Sequence, residues 1–444
     1  MLTVQSHNRT EVIAFGDIVE WLNRFDITKN FDVEHKARLL LLDTLACAIA
    51  GLAEKEPHAL ATRLAKSDNG SLTLPSINGG LSILDWVFAL TTSACWHEAC
   101  EGSARAHGRP GLHAIPVAAG LGLEKNKTFG EVLESLVWGY EIGARAGETM
   151  RISEGLHVDG TWGILASIAA ACRMYALSPE QTVTALAAGA CQVPHSLYFP
   201  ISKGCTVRNI YAGAAATQAI HIADAVAAGV TAPHDVFETT VRTLSGNPAQ
   251  TQWAWSGPDA FLIMEAYLKP FAAVRHVHYA AACAQQWHTR HGQDKTQNIT
   301  ALTLNTYPEA AYYCSNRSPQ TAIQAQFSLT FGAAHVLRHG DLTPDAYRLP
   351  SFDDPETRRL ENLISVTENV SSKERSAQLI VQMGNTEEVY AIAAIPGDIS
   401  EPFTETEARG KALTYMSPVI GEEGAERLIG KILSHPLADT FTFW

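Results

Sequence analysis

The sequence has no Cys-x-x-Cys pair, and its eight cysteines (Cys47, Cys95, Cys100, Cys172, Cys191, Cys205, Cys283, Cys314) are scattered. That excludes the usual spacing of a zinc site or a disulfide framework, and most of these cysteines fall in apolar helical runs as packing residues. Neither a GxGxxG following a strand nor a GxxxxGK followed by Ser or Thr is present, so no nucleotide fingerprint appears. Cationic surplus is lacking too. The formal net charge of -13 would repel a phosphate backbone, which argues against nucleic-acid binding, although a few convergent cations could still attract a small anion. No apolar run reaches the length of a membrane span, and MLTVQSHNRTEV lacks the basic-then-apolar pattern of a secretory start. A cytoplasmic protein without cofactor or metal is therefore expected, with chemistry supplied by side chains.

What is present is helix. The 444 residues suffice for two domains and a large core. The pattern predicts helices at Thr10 to Phe25, at Asp32 to Gly51 with Asp32 as N-cap and Gly51 as stop, at Leu81 to Glu98 and at Leu112 to Leu123. Between them, Ser67 to Gly80 surrounds SLTLPSI, a loop or minor hairpin, and Ala99 to Pro110 is a polar loop. Thr128 and Glu131 form a T-x-x-E capping box that opens a long helix through WGYEIGARAGETM, in which Tyr140 and Glu141 read as a packed hydrogen-bonded pair. A buried helix follows from Thr161 to Tyr175. Ser178-Pro179-Glu180-Gln181 is a second capping box, opening a helix to Cys191, and a third, small-residue helix (AGAAATQAIHIADAVAAG) stops at Gly229.

After Lys269-Pro270 the pattern changes. A helix at Ala272 to His291 precedes the alternating QNITALTLNTY, a strand; Ser318-Pro319 and DDPETRRLENLISV each start a helix; and AQLIVQM and VYAIAAIP flank a Gly-Asn turn as a hairpin. The fold class expected is mainly α: a large all-helical domain of residues 1-267 and 401-444, discontinuous, with a smaller α+β lid domain of residues 268-400.

Several ordered stretches resemble the MmgE/PrpD family: His157 with Gly160-Thr161-Trp162-Gly163, SPEQTVTALAAGA, the entry into Ala212-Gly213-Ala214-Ala215, LLLLDTLACAIAG, YLKPFAAVRHVH and AQFSLTFGAAHVLRHGDL. That family includes 2-methylcitrate dehydratase, cis-aconitate decarboxylase and iminodisuccinate epimerase. The resemblance implies removal of a proton or carboxyl group α to a carboxylate, which needs a base, an acid and cations that hold the substrate.

His157 then matches the family's active-site histidine, kept by a helix N-terminus as a neutral base or hydrogen-bond donor, and abstraction by His157 as base is the simplest assignment. Lys269 matches the lysine at the domain junction and can hold a carboxylate or move a proton. Arg208 stands where relatives usually carry lysine, with Lys203 nearby as a substitute; Arg109-Pro110 and Cys100-Glu101 replace a His-Pro and aspartates, with His107 and Glu101 as stand-ins. The expectation is His157, Lys269 and His107 as catalytic groups, with Arg109, Arg208, Lys203 and Glu101 binding substrate. Arg275 and His278 continue the family's RxxH pattern and read equally as structural. His97 and Glu98, adjacent without metal-ligand spacing, read as structural. The function implied is a cofactor-independent lyase, a dehydratase or decarboxylase, acting on a small di- or tricarboxylate. An isomerase or epimerase, or a non-catalytic carboxylate-binding homologue, are the alternatives. The small-residue helices and the resemblance together imply a homodimer.

Overall fold

The computed structural model describes residues 15-65, 70-245, 260-368 and 375-443. The helices are α1 (Phe15–Asn23), α2 (Phe31–Leu52), α3 (Lys55–Leu64), α4 (Ile83–Cys95), α5 (Pro110–Glu124), α6 (Phe129–Thr149), α7 (Gly163–Met174), α8 (Pro179–Ala190), α9 (Phe199–Ser202), α10 (Tyr211–Ala227), α11 (Val236–Ser245), α12 (Arg275–His291), α13 (Pro308–Tyr313), α14 (Ala322–Gln326), α15 (Leu329–His339), α16 (Pro355–Leu363), α17 (Glu405–Ile420) and α18 (Glu422–Ser434). The strands are β1 (Gly102–Ser103), β2 (Ala266–Tyr267), β3 (Ala301–Thr306), β4 (Ile364–Glu368), β5 (Ala377–Met383) and β6 (Thr386–Ile392). The protein is mainly α with a smaller α+β part.

Two hydrophobic cores account for this. The first gathers residues of α1 to α8, of α10 and α11 and of α17 and α18, so the C-terminal helices return to pack on α2. Its centre is α2, α5, α6 and α7. In α2 the run Ala37 to Leu52 is buried without a break, as a helix apolar all round must be. The second core spans residues 271 to 395: α12 packs on α15 and on one face of a four-stranded sheet of order β4-β3-β5-β6. Leu302 and Leu304 of β3 and Leu379 and Val381 of β5 supply its buried face, the alternation expected of a half-buried strand.

The capping boxes at Thr128 and Ser178 form with both reciprocal bonds, and a third forms at Thr404, opening α17. The β5–β6 hairpin turns through Gly384-Asn385, with Gly384 at φ +59°. Several boundaries differ from the sequence expectation. Asn30, not Asp32, is the N-cap of α2, and Asp32 lies in the first turn. Gly51 is inside α2 rather than ending it: a Cβ there would lie 2.0 Å from the Ser93 carbonyl oxygen, so glycine allows α4 to approach. Helix α14 starts after Thr321, since Ser318 sits at φ +52° and cannot open a helix; and the ISV following α16 extends into β4. Glu141 is buried, but its partners are Arg145 and the amides of Leu262 and Ile263, not Tyr140. The expected helix from Thr10 lies outside the described residues until Phe15.

Candidate active site

Helix α4 ends at Cys95, and the chain then turns through Glu98, which has φ +54°. A non-glycine residue in this region is strained and needs strong partners. Glu98 has three. Lys269 Nζ donates to its carbonyl at 2.7 Å and to Oε1 at 2.9 Å; Arg208 pairs with Oε2; and Arg109 Nη1 lies 3.3 Å from Oε2. The short pairing of β1 with β2, in which Gly102 faces Tyr267, brings Lys269 within reach. A Cβ on Gly102 would lie 2.4 Å from the Tyr267 ring, so that approach requires glycine.

Arg109 is the N-cap of α5, fixed by Pro110 at the first helical position. It pairs with Asp159 and contacts the Cys95 and Cys100 sulfurs at 3.1 and 3.5 Å. His113, one turn into α5, locks this corner: its Nδ1 meets the Arg109 carbonyl at 2.9 Å and its Nε2 accepts the Gly160 amide at 3.0 Å. Asp159 also has Arg208 at 3.6 Å and His157 Nδ1 at 3.8 Å. Three cations thus meet two carboxylates among the described residues, leaving one positive charge. Burial alone would raise the carboxylate pKa values, but Arg109, Arg208 and Lys269 hold Glu98 well below the carboxylate range, and Arg109 and Arg208 do the same for Asp159. Neither carboxylate is a base near neutral pH. Burial lowers the pKa of Lys269, and Glu98 opposes that shift.

His157 lies in the loop before α7, six residues ahead of Gly163, so it is not at a helix N-terminus as the sequence suggested. Burial is what pushes its pKa down to about 4, with only 7% of the residue exposed. The Asp159 amide donates to Nδ1 at 3.0 Å. Since Nδ1 accepts, the ring proton is on Nε2, which has no hydrogen bond among the described residues. Neutral His157 therefore offers an N–H, not a lone pair. Tyr198 stacks on the ring, with centroids 6.1 Å apart, and fixes its plane.

These groups line a chamber of about 510 Å³ with walls from both cores: Glu98, His107, Arg109, His157, Asp159 and Lys269 on one side, and His276, Phe327 and Arg375 on the other. His107, exposed and at φ +52°, lies at its rim. Three residues expected to touch substrate are placed elsewhere. Arg208 is behind Glu98 and Asp159 and does not line the chamber. Glu101 is fully buried with Oε1 accepting the Leu112 amide at 3.0 Å, and burial pushes its pKa up to about 8, so it is a neutral acid within the α5 corner. Lys203 is exposed, its ammonium 5.3 Å from the Phe199 ring centre. Conversely, Glu98, Asp159 and His276 line the wall although the sequence marked none of them for it. Asp159 was legible as an acid two residues after His157 in a polar loop between apolar helices; Glu98 gave no such signal.

Among the described residues no group of three or more His, Cys, Asp or Glu could hold a metal, and no helix is long and apolar enough to cross a membrane. The arrangement is that of a helical body and an α+β unit sharing one acid–cation chamber. Residues 16–247 match the MmgE/PrpD N-terminal domain and residues 271–434 the MmgE/PrpD C-terminal domain. The chain belongs to the MmgE/PrpD family, which includes dehydratases and decarboxylases. It is also similar to a protein of Aspergillus oryzae (strain ATCC 42149 / RIB 40), Cis-aconitate decarboxylase-like protein oryM, at 24% identity over 445 residues, covering 91% of this chain and 90% of the relative.

Proposed function

We propose that this protein is a cofactor-independent lyase for a small di- or tricarboxylate, and that decarboxylation is its reaction. The observation that carries this is the donor character of the chamber. Lys269 spends its hydrogen bonds on Glu98 and keeps an N–H for the cavity, His157 offers Nε2–H, and the two carboxylates beside them are held ionised by cations. Loss of CO2 needs no base. The bond from the α-carbon to the departing carboxylate breaks, its electron pair passes into the conjugated remainder of the substrate as an enolate, and the carbon is then protonated. The His157 N–H stabilises the developing oxyanion. Lys269, with a pKa lowered by burial, delivers the proton and recovers it from water. The similarity to a cis-aconitate decarboxylase-like protein supports the same choice.

Dehydration or epimerisation would need a base as well. His276, whose Nδ1 meets the Tyr307 hydroxyl at 2.6 Å, lines the chamber, but burial pushes its pKa down to about 3 and leaves it a weak base. The test is incubation with cis-aconitate and related tricarboxylates in D2O, following CO2 and deuterium. CO2 release with deuterium at the product carbon supports decarboxylation. Deuterium exchange without CO2 would replace it by the epimerase alternative, and neither signal would leave only a carboxylate-binding homologue.

A further inference from the structure

The chamber does not end at the acid–cation cluster. A second cavity of about 470 Å³ continues from it, and both share His107, Tyr267, Arg275, Glu309 and Arg375 in their walls. Glu98, Arg109, His157, Asp159 and Lys269 line only the inner chamber, so the shared residues mark a junction beyond the reacting groups.

At that junction the guanidinium groups are incompletely paired. Arg275, first residue of α12, is 95% buried, since 5% of it is exposed; its plane covers the Tyr267 ring at 4.3 Å and its Nη2 pairs with Asp398. Its Nη1 is buried without a hydrogen-bond partner among the described residues. Arg151, on the inner wall, also has a buried Nη1 without one. Arg375, just before β5, has Glu309 as its nearest carboxylate at 3.8 Å, beyond hydrogen-bond distance, and the Glu309 side chain is 49% exposed. Buried N–H groups without acceptors are uncommon, and planar guanidinium donors match a carboxylate. The inner cations, by contrast, are already committed: Arg109 and Arg208 are bound to Asp159 and Glu98. A substrate with several carboxylates needs donors that the protein has not already satisfied.

We propose that the junction is a second anion subsite, in which Arg275 and Arg375, with Arg151 on the inner wall, bind a substrate carboxylate remote from the atoms that react. It rests on the polycarboxylate reading above and adds the selection rule: an anion reaching the junction displaces half-exposed Glu309 from Arg375, whereas a monocarboxylate held at Lys269 cannot. Tyr267, Tyr279 and Tyr307 line the outer wall beside that cation pair, with Glu309 and Asp398 as the carboxylates facing it. Elongated polycarboxylates are therefore preferred over short or singly charged acids.

The experiment is titration calorimetry of the full-length protein with citrate, tricarballylate and the monocarboxylate crotonate. Wild type should bind a tricarboxylate at least about ten-fold more tightly than crotonate. Arg375→Gln should weaken tricarboxylate binding about ten-fold or more while changing crotonate binding less than about two-fold, and Arg375→Lys should fall between. If Arg375→Gln does not fold, Arg151→Gln is read in the same way. Tricarboxylate affinity unchanged within about two-fold in the folded variant overturns the subsite, as does wild type that binds neither tricarboxylate below about 10 mM. The reaction is scored separately by CO2 release. A protein that binds citrate through Arg375 but releases no CO2 from any acid offered overturns the decarboxylase reading and leaves the subsite standing.

Discussion

Lys269 holds Glu98 by two atoms at once, its carbonyl at 2.7 Å and its carboxylate at 2.9 Å, and so fixes a residue whose backbone is in the left-handed region. The ammonium is thereby positioned by the carboxylate that keeps it charged. Changes on either side of this contact have effects of different kinds.

Glu98→Gln removes the charge that compensates Arg208, Arg109 and Lys269, all of them buried. Breaking a buried pair of this kind costs on the order of 3–5 kcal/mol, so a large fall in Tm is expected. The acid limb of stability should also flatten. Glu98 has a folded pKa depressed below its unfolded value, so its contribution is present above the unfolded pKa and is lost as pH falls through the folded one. Thermal melts of both proteins across the acid range check this; an unchanged acid limb would show that Glu98 carries no such linkage.

Arg208→Ala should act through Glu98 and Asp159, because Arg208 does not line the chamber. Stability and turnover should fall together, and Arg208→Lys should recover part of both. Steady-state kinetics would contradict this if Arg208→Ala raised KM alone with normal Tm, the pattern of a residue that only binds substrate.

His157→Ala should lower kcat by about 10²–10³, the usual loss on removing one oxyanion donor. Because burial lowers its pKa to about 4, His157 stays neutral from about pH 5 to 8 and should contribute no ionisation to the rate profile there. For stability, the unfolded chain takes up the proton first. Wild type should lose stability as pH drops from about 6.5 to about 4, by about 3 kcal/mol from this residue, and His157→Asn should remove that slope. Urea unfolding at several pH values measures it.

Glu101→Gln should be well tolerated, since Glu101 already carries its proton below about pH 8. With a folded pKa raised above the unfolded one, the acid stabilises the fold at low pH and loses that contribution as pH rises towards 8. The Gln variant should therefore gain on wild type progressively across this interval. A constant difference in Tm across the interval would place Glu101 in its charged form.

Much of the fold was legible because the signals are local. Ser178 with Gln181 and Thr128 with Glu131 lie three residues apart, and the β5–β6 hairpin is encoded by alternation around Gly384-Asn385. Gly51 misled because a helix stop and a close helix contact select the same residue. In the site, His157 and Lys269 stood out by residue type and context, and the structure puts both on one chamber wall. Glu98 and Glu101 exchanged roles: Glu98, at the end of an expected helix, read as structural and Glu101, three positions on in the polar loop, as a substrate ligand, whereas tertiary packing sends Glu98 to the cations and Glu101 to the Leu112 amide. Two of the three partners that define Glu98 are 110 and 171 residues away, beyond any local pattern.

The two-residue pairing of β1 with β2 sets a timetable for the chain. Gly102 must meet Tyr267, and Glu98 must meet a lysine 171 residues later, before the chamber has any chemistry. Closing so long a segment costs entropy that no local helix contact returns, so the helices of the body can form well ahead of the site they carry. Secondary structure and catalytic competence should therefore emerge at different times during refolding, with α2, α6 and α7 assembled while Glu98 still lacks its cations. During synthesis the site remains incomplete until the segment through Lys269 has left the ribosome, and a chain halted before that point would hold helical structure without an acid–cation chamber.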